Sequence, residues 1–515
     1  MMMTYDAIII GAGHNGLVCA NYLARAGRKV LVLEAAERVG GAAVTRDFAP
    51  GFKVSACAHL LHQMPDAMIA ELDLARHGLS FAATGLATQA LARNGHPVRM
   101  DAESIGRHSA ADGAAYGPFI ERLGKFAKHL LPLLQAPPPR LVTGDWPALA
   151  RLGWQIRSLG RRDMRELLRI LGMNVYDLLE EQFESDLVKG ALGFDAVLGS
   201  SFGPRSPGTV LTLLHRLAAQ SAAGPTPISQ PKGGMGAVTA ALAAAAQAKG
   251  VEIRTGAAVQ RILVENDRAS GVVLASGETI AAGAVISNAD PRRTFLDLLG
   301  AEHLDTGFVR RVDHLRSRGL VAKLHLALDG LPDFPGLDNA GLGGRLLIAP
   351  SLDYIERAYN PSKYGEISEA PALEITIPTI HDSSLAPAGK HVLSALVQYA
   401  PYKLAAGWDV GRPRLAERAI ETIEAHAPGL RSRILATEIL TPLDLEAEFG
   451  MTGGHWHHGD LAFDQFYMVR PVPGAAQYRT PVDGLFLCGA GSHPGGGVMG
   501  AAGRNAARVI LKKAA

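Results

Sequence analysis

The residues with the most chemistry to account for stand near the start of the chain. Gly11-Ala12-Gly13-His14-Asn15-Gly16 is a G-x-G-x-x-G run, and Glu34 follows 18 residues after its last glycine. The three glycines act differently. Gly11 permits a tight turn, Gly13 lets the backbone approach a pyrophosphate, and Gly16 lets the following helix pack closely on the preceding strand. His14 and Asn15 lie between those glycines, where the helix N-terminus carries the phosphate charge. A carboxylate at position 34 accepts both hydroxyls of an adenosine ribose and repels a 2′-phosphate. Together these residues point to the ADP half of a dinucleotide. Arg38 and Gly40-Gly41 come next, spaced from Glu34 as E-x3-R-x-G-G. A third cluster lies near the C-terminus, where Gly489, Gly491, His493, Pro494, Gly495-Gly496-Gly497 and Val498 follow an apolar run. Such glycine density costs backbone entropy unless close approach to a ligand repays it. Its loop amides and the helix behind it suit an anionic or electron-rich group.

The elements that must position these residues are local and readable. Asp6 to Ile10 is a short β-branched run that suits a buried parallel strand. Leu17, Val18, Ala20, Leu23 and Ala24 form the apolar stripe of a helix that Gly27 ends, and Val30 to Leu33 form a second strand closed by Glu34. At the far end, Asp483-Gly484 is a turn, Leu485 to Cys488 a strand, and Gly489 to Gly503 a glycine-rich crossing into a last helix. Gly233-Gly234-Met235-Gly236 opens an alanine-rich helix to about Lys249, followed by short strands with turns at Asn266-Asp267 and Ser276-Gly277. The fold expected is α/β: a Rossmann-type dinucleotide-binding domain, which the resemblance given next makes a glutathione-reductase-like FAD-binding domain, discontinuous over 1–75, 228–300 and 475–515, with a helical insert at 100–225 and an inserted mixed-sheet substrate domain at 76–99 and 301–474.

The E-x3-R-x-G-G block resembles that of flavoprotein desaturases and amine oxidases. With the stretches PGFKVSACAHLL (Pro50–Leu61), PKGGMGAVTAAL (Pro231–Leu242) and HGDLAFDQFYMVRPVPGAAQYRTPVDGLFLCGAGSHPGGGVMGAAGRNAARV (His458–Val509), the chain resembles the phytoene-desaturase and carotenoid-isomerase-like flavoprotein family. The likeness is nearest to a branch named for pyridine nucleotide-disulfide oxidoreductase domains. It implies non-covalent FAD, with Arg38 supporting the phosphates, Gly40-Gly41 near the flavin side of the pyrophosphate and the Val259 backbone facing the adenine. It also places Gly489, Gly491, His493, Pro494, Gly497 and Val498 around the ribityl chain and flavin. The activity implied is hydride transfer between a carbon of a small hydrophobic substrate and flavin N5, in CH–CH desaturation, saturation or isomerisation, with oxygen or a quinone as electron acceptor. Oxidation of a C–N bond and a non-catalytic flavin-bearing interaction protein are the alternatives. Ser492 before His493-Pro494, and the unbroken Gly495-Gly496-Gly497, depart from bacterial carotenoid desaturases and point away from a carotenoid substrate. His458 and His59 are the candidates for contact with substrate; structural, hydrogen-bonded roles serve equally for both.

Composition excludes several classes. A chain of 515 residues is expected to divide into two or three lobes. A formal net charge of +2 with 19% charged residues argues against a nucleic-acid partner. Cys19, Cys57 and Cys488 are too scattered for a disulfide framework, a thiolate metal site or a Cys-x-x-Cys redox pair. His455-Trp456-His457-His458 lacks a carboxylate or cysteine at ligand spacing, so no metal is expected. A first strand beginning by Tyr5 leaves no room for a leader, and no long uninterrupted apolar run occurs, so a cytoplasmic protein is expected. From Trp146 to Leu171, arginines interleave with Trp146, Leu149, Trp154 and Leu167. That segment either rests on an anionic membrane as a peripheral contact or packs as a helix with its arginines in solvent. Homo-oligomerisation is left open.

Overall fold

The computed structural model describes residues 5–93, 95–140, 146–224 and 227–513. Residues 1–4, 94, 141–145, 225 and 514–515 of the expected domain segments lie outside the described residues.

Five parallel strands form the sheet that carries the glycine turns. Their spatial order is Leu485–Leu487, Val285–Ser287, Ala7–Ile10, Val30–Leu33, Glu252–Arg254. Ile8 pairs with both Leu31 and Val285, and Ile286 pairs with Phe486. The four apolar strands are buried throughout, as a parallel sheet covered on both faces requires. Helices His14–Arg25, Gly236–Gln247 and Ala501–Lys513 cover one face, where Leu17, Val18, Leu242 and Ala506 join Ile9 and Val32 in one core. The opposite face is covered by the antiparallel meander Val259–Glu265, Arg268–Leu274, Thr279–Ala281, whose Ile262, Val272 and Ile280 pack on Ile8, Leu31 and Val285. Glycine sets the closeness of this packing at two places. A Cβ on Gly16 would stand 2.3 Å from the Gly11 carbonyl oxygen, and one on Gly503 would stand 2.1 Å from the Asn15 carbonyl oxygen.

A second, seven-stranded sheet draws on two distant stretches of chain. Its order is Ile434–Leu440, Val321–Leu328, His391–Gln398, Leu373–Thr376, Arg345–Ile348, Thr88–Ala90, Val98–Arg99. Neighbouring strands are antiparallel except Arg345–Ile348 with Thr88–Ala90. A group of helices runs from Ala102 to Ala222, where Phe119, Phe126, Val188, Phe194 and Leu214 share a core with Leu347 and Ile355 beside the second sheet. Asp101, Ser109, Asn174 and Ser185 begin four of these helices by accepting a backbone N–H of the first turn. The arginine-rich segment forms helices Trp146–Arg157 and Arg161–Ile170. Leu159, Leu167 and Ile170 enter the core, whereas Trp146 and Trp154 are 73% and 72% exposed. No helix among the described residues is long and apolar enough to cross a membrane.

Candidate functional site

A cavity of about 900 Å³ opens where the two sheets and the helices meet, and it has two arms of different construction. The nucleotide arm begins at the end of Ala7–Ile10, where Gly11 takes a φ of +94° and helix His14–Arg25 starts after Gly13. The Gly40 N–H donates to the Ala12 carbonyl at 2.9 Å, and Gly13 and Gly40 lie side by side as a parallel bridge. Both turns are bare of side chains for a steric reason: a Cβ on Gly13 would meet Asn288 Nδ2 at 2.8 Å, and one on Gly40 would meet Val44 and Thr239 at 2.7 and 2.8 Å. Glu34 closes its strand with the carboxylate already set, accepting the Ala12 N–H at 2.7 Å and the Ala36 N–H at 3.0 Å. Arg38, Gly41 and Val259 line the same arm. Asn15 Oδ1 and His14 Nε2 are buried without a hydrogen-bond partner. Two glycine turns, a pre-set carboxylate and these orphaned polar atoms fit the pyrophosphate and ribose of FAD.

The C-terminal loop is split between the cavity and the chain crossing behind it. Gly497 and Val498 line the cavity, and Gly497 faces Gln63 so closely that a Cβ there would overlap its side-chain oxygen. Gly489, Gly491, His493 and Pro494 stand behind this lining rather than in it. A Cβ on Gly489 would stand 2.5 Å from the Asn288 carbonyl, and one on Gly491 would stand 2.4 Å from the Pro291 ring, so these glycines serve chain crossing. His493 is fully buried and directs Nε2 to the Leu133 carbonyl at 2.8 Å, while the Pro494 carbonyl accepts from His215 Nε2 at 3.0 Å. Both therefore bind the loop to the helical region. Gly16 likewise lies off the cavity, in the helix-to-strand contact expected of it.

The far arm is made of side chains. His59 reaches it from the stretch after strand Phe52–Ser55, and burial together with the Lys323 charge pushes its pKa down to about 4. Lys323 Nζ donates to His59 Nδ1 at 2.7 Å, with Thr376 Oγ1 3.2 Å from the same nitrogen, so the ring proton sits on Nε2 and is donated to Glu374 Oε1 at 2.9 Å. Arg345 Nε holds the other Glu374 oxygen at 2.6 Å and its Nη atoms hold Asp195. Burial alone would raise the Glu374 pKa, but Arg345 and His59 outweigh it and hold the carboxyl well below its ordinary range. Burial pushes Lys323 down to about 7 and the Cys57 thiol up to about 12, which leaves Cys57 without nucleophilic character. Both nitrogens of His59 are engaged, so its contacts do not provide the direct proton exchange with substrate that it was a candidate for. His458 differs. It lines the cavity, its Nδ1 has no partner, and burial pushes it down to about 4 against the opposing pull of Asp290, so it is a neutral base with a free nitrogen at neutral pH.

Arg216, Glu374 and Gln63, which line this arm, and Lys323 behind it are polar residues that sequence reasoning did not single out. The available signal was charge inside apolar strands: Lys323 within Val321–Leu328, Arg345 heading Arg345–Ile348 and Glu374 within Leu373–Thr376, all buried. His455 is satisfied by Asp460 at 3.0 Å. Among the described residues no three His, Cys, Asp or Glu side chains are grouped to hold a metal ion.

The chain matches the family described as flavin containing amine oxidoreductase over residues 16–511. Pyridine nucleotide-disulfide oxidoreductase domain-containing protein 2 of Rattus norvegicus is 36% identical over 99% of this chain and 93% of its own length. A lycopene-forming phytoene desaturase of Pantoea ananas is 26% identical over 64% of each chain. Wild-type putrescine oxidase bound to putrescine superposes with a TM-score of 0.62 at 17% identity, covering 99% of both chains, and this likeness speaks for the fold.

Proposed function

The chain belongs to the flavin containing amine oxidoreductase family and is an FAD-dependent oxidoreductase, and from that premise we propose that it transfers hydride between a carbon of a largely apolar substrate and the flavin, removing it from the substrate in CH–CH desaturation and delivering it in saturation, with isomerisation as the redox-neutral variant. One observation supports carbon–carbon over carbon–nitrogen chemistry: the carboxylates of the far arm are already claimed. Glu374 lies between Arg345 and His59, and Glu448 is held by Arg46 Nε at 2.8 Å. An ammonium or amine entering the arm meets no free anion. Leu198, Leu396 and Trp456 line the space instead and keep water from the reacting carbon.

Bound FAD supplies a hydride acceptor at its N5. This chain's residues hold the nucleotide through the glycine turns and Glu34, and His458 Nδ1 takes up the proton lost from the substrate carbon next to the one that gives the hydride. His59 keeps Lys323 and Glu374 in register behind the wall and does not itself exchange the proton. The test is anaerobic mixing of the FAD-loaded protein with panels of apolar and amine substrates, read by bleaching of the oxidised flavin band near about 450 nm. Apolar C–H substrates are expected to bleach it; bleaching by amines alone overturns the reading. Reoxidation by oxygen or by a quinone is read in the same cell. His458→Gln with FAD retained is expected to slow bleaching by about 10²-fold and by less than about 10⁴-fold, within the range of a general base.

A further inference from the structure

The proposed reaction leaves one buried cation without a role. Arg216, on helix Thr209–Ala222, lines the far arm with its side chain 12% exposed. It is ion-paired with Asp195, whose Oδ1 lies 3.2 Å from its Nε, although that Nε makes no hydrogen bond. The carboxylates within reach are also committed elsewhere. Asp195 accepts from both Nη atoms of Arg345, Glu374 from Arg345 and His59, and Glu448 from Arg46. Arg216 and Arg345 balance Asp195 and Glu374, and protonated Lys323 adds a further positive charge, so the arm carries no surplus of negative charge. The field of Arg216 is felt by His62, which burial and this cation push down to about 3. A polar side chain lines the same cavity: Gln63 is 8% exposed and turns its side-chain oxygen toward Gly497.

A guanidinium that shares its one nearby carboxylate with Arg345 keeps N–H donors that a ligand can engage. The guanidinium fork matches a carboxylate through two parallel N–H···O bonds, and the amide adds a third donor. Leu198, Leu396 and Met451 add apolar surface to the wall. We propose that the substrate is a carboxylic acid with an apolar body, its carboxylate seated on Arg216 and its body lying along Leu198 and Leu396 toward Gly497. This rests on the hydride-transfer reading and narrows its substrate class: the anion fixes one end so that a C–H bond further along the body meets the flavin.

The test compares decanoate, 1-decanol and decylammonium, equal in chain length and different in head charge, by calorimetric titration of the FAD-loaded protein, with FAD content measured in every sample. Decanoate is expected to bind at least about tenfold more tightly than either of the others, the difference a charge-assisted hydrogen bond provides. Arg216→Met is expected to abolish that preference, and Arg216→Lys, which keeps the charge and loses the fork, to restore part of it. Equal binding of the three, tighter binding of decylammonium, no binding of decanoate, or an unchanged preference in Arg216→Met overturns the proposal. The three-ligand comparison on the unsubstituted protein decides even where a variant fails to fold. Those outcomes with FAD present in stoichiometric amount leave the flavin reading standing; a protein devoid of FAD overturns the reading beneath it instead.

Discussion

At the nucleotide arm, backbone atoms of Gly11 to Gly13 and Gly40-Gly41 form the surface, and the charged side chain fixed there, Glu34, is itself held by the N–H groups of Ala12 and Ala36. At the far arm, Lys323, His59, Glu374, Arg345 and Asp195 hold one another in a buried chain of charge, and the backbone supplies little beyond the strands that present them. The first arm is therefore rigid on its own: its shape follows from turns and helix packing and survives loss of any one side chain. The second is rigid only as a set, because each charge removed leaves its neighbour desolvated and unpaired. Substrate choice can thus change in the far arm with the cofactor seat intact, but each change there acts on stability as well as on recognition.

Substitutions that separate the two arms test this contrast. The largest effect is expected from Glu374→Ala, which strands Arg345 and His59 in the interior and is expected to destabilise the protein by about 3–5 kcal/mol in urea unfolding. FAD affinity of the folded fraction is expected to stay unchanged; loss of FAD without loss of stability would show that the two arms are one unit. Glu34→Ala is the converse. Losing charge-assisted bonds to the ribose, each worth about 1.5–3 kcal/mol, is expected to raise the FAD dissociation constant about ten- to hundredfold, measured by fluorescence of released flavin.

A slope rather than a step is expected from Lys323. Its folded pKa of about 7 lies below its ordinary 10.5, so the unfolded chain binds more protons between those values and stability rises as pH increases through that window. Lys323→Met removes this contribution, and unfolding curves of the two proteins at intervals across that range are expected to converge as pH rises; parallel curves would mean that Lys323 is solvated. The smallest effect is expected from Thr376→Val. Lys323 still donates to His59 Nδ1 when the hydroxyl 3.2 Å away is gone, so a loss of about 1 kcal/mol or less is expected. A larger loss would place Thr376 among the groups that hold the network together.

Those same differences explain what could be read in advance. Strand Ala7–Ile10, the helix ending before Gly27 with φ +78°, and strand Val30–Leu33 were legible because apolar runs and positive-φ glycines act over a few residues. The hairpin turn at Asn266-Asp267, with φ of 51° and 59°, was legible for the same reason. The glycines of the C-terminal loop were legible as a cluster but not one by one: whether Gly491 faces a cofactor or the Pro291 ring depends on which segment crosses behind it. The far arm left weaker marks, a lysine or glutamate inside an otherwise apolar strand, and its partners could not be assigned. His59 meets Lys323 across 264 residues and Glu374 across 315.

By itself, the sequence determined the seat of the dinucleotide, because the sterics of a glycine turn and the reach of a carboxylate at a strand end are settled within a few dozen residues and need no distant partner. Tertiary structure alone decided which histidine nitrogens keep no partner and which carboxylate each buried cation meets. Ion pairs and pKa values take their strength from desolvation, and a side chain is desolvated only when remote strands and helices close over it.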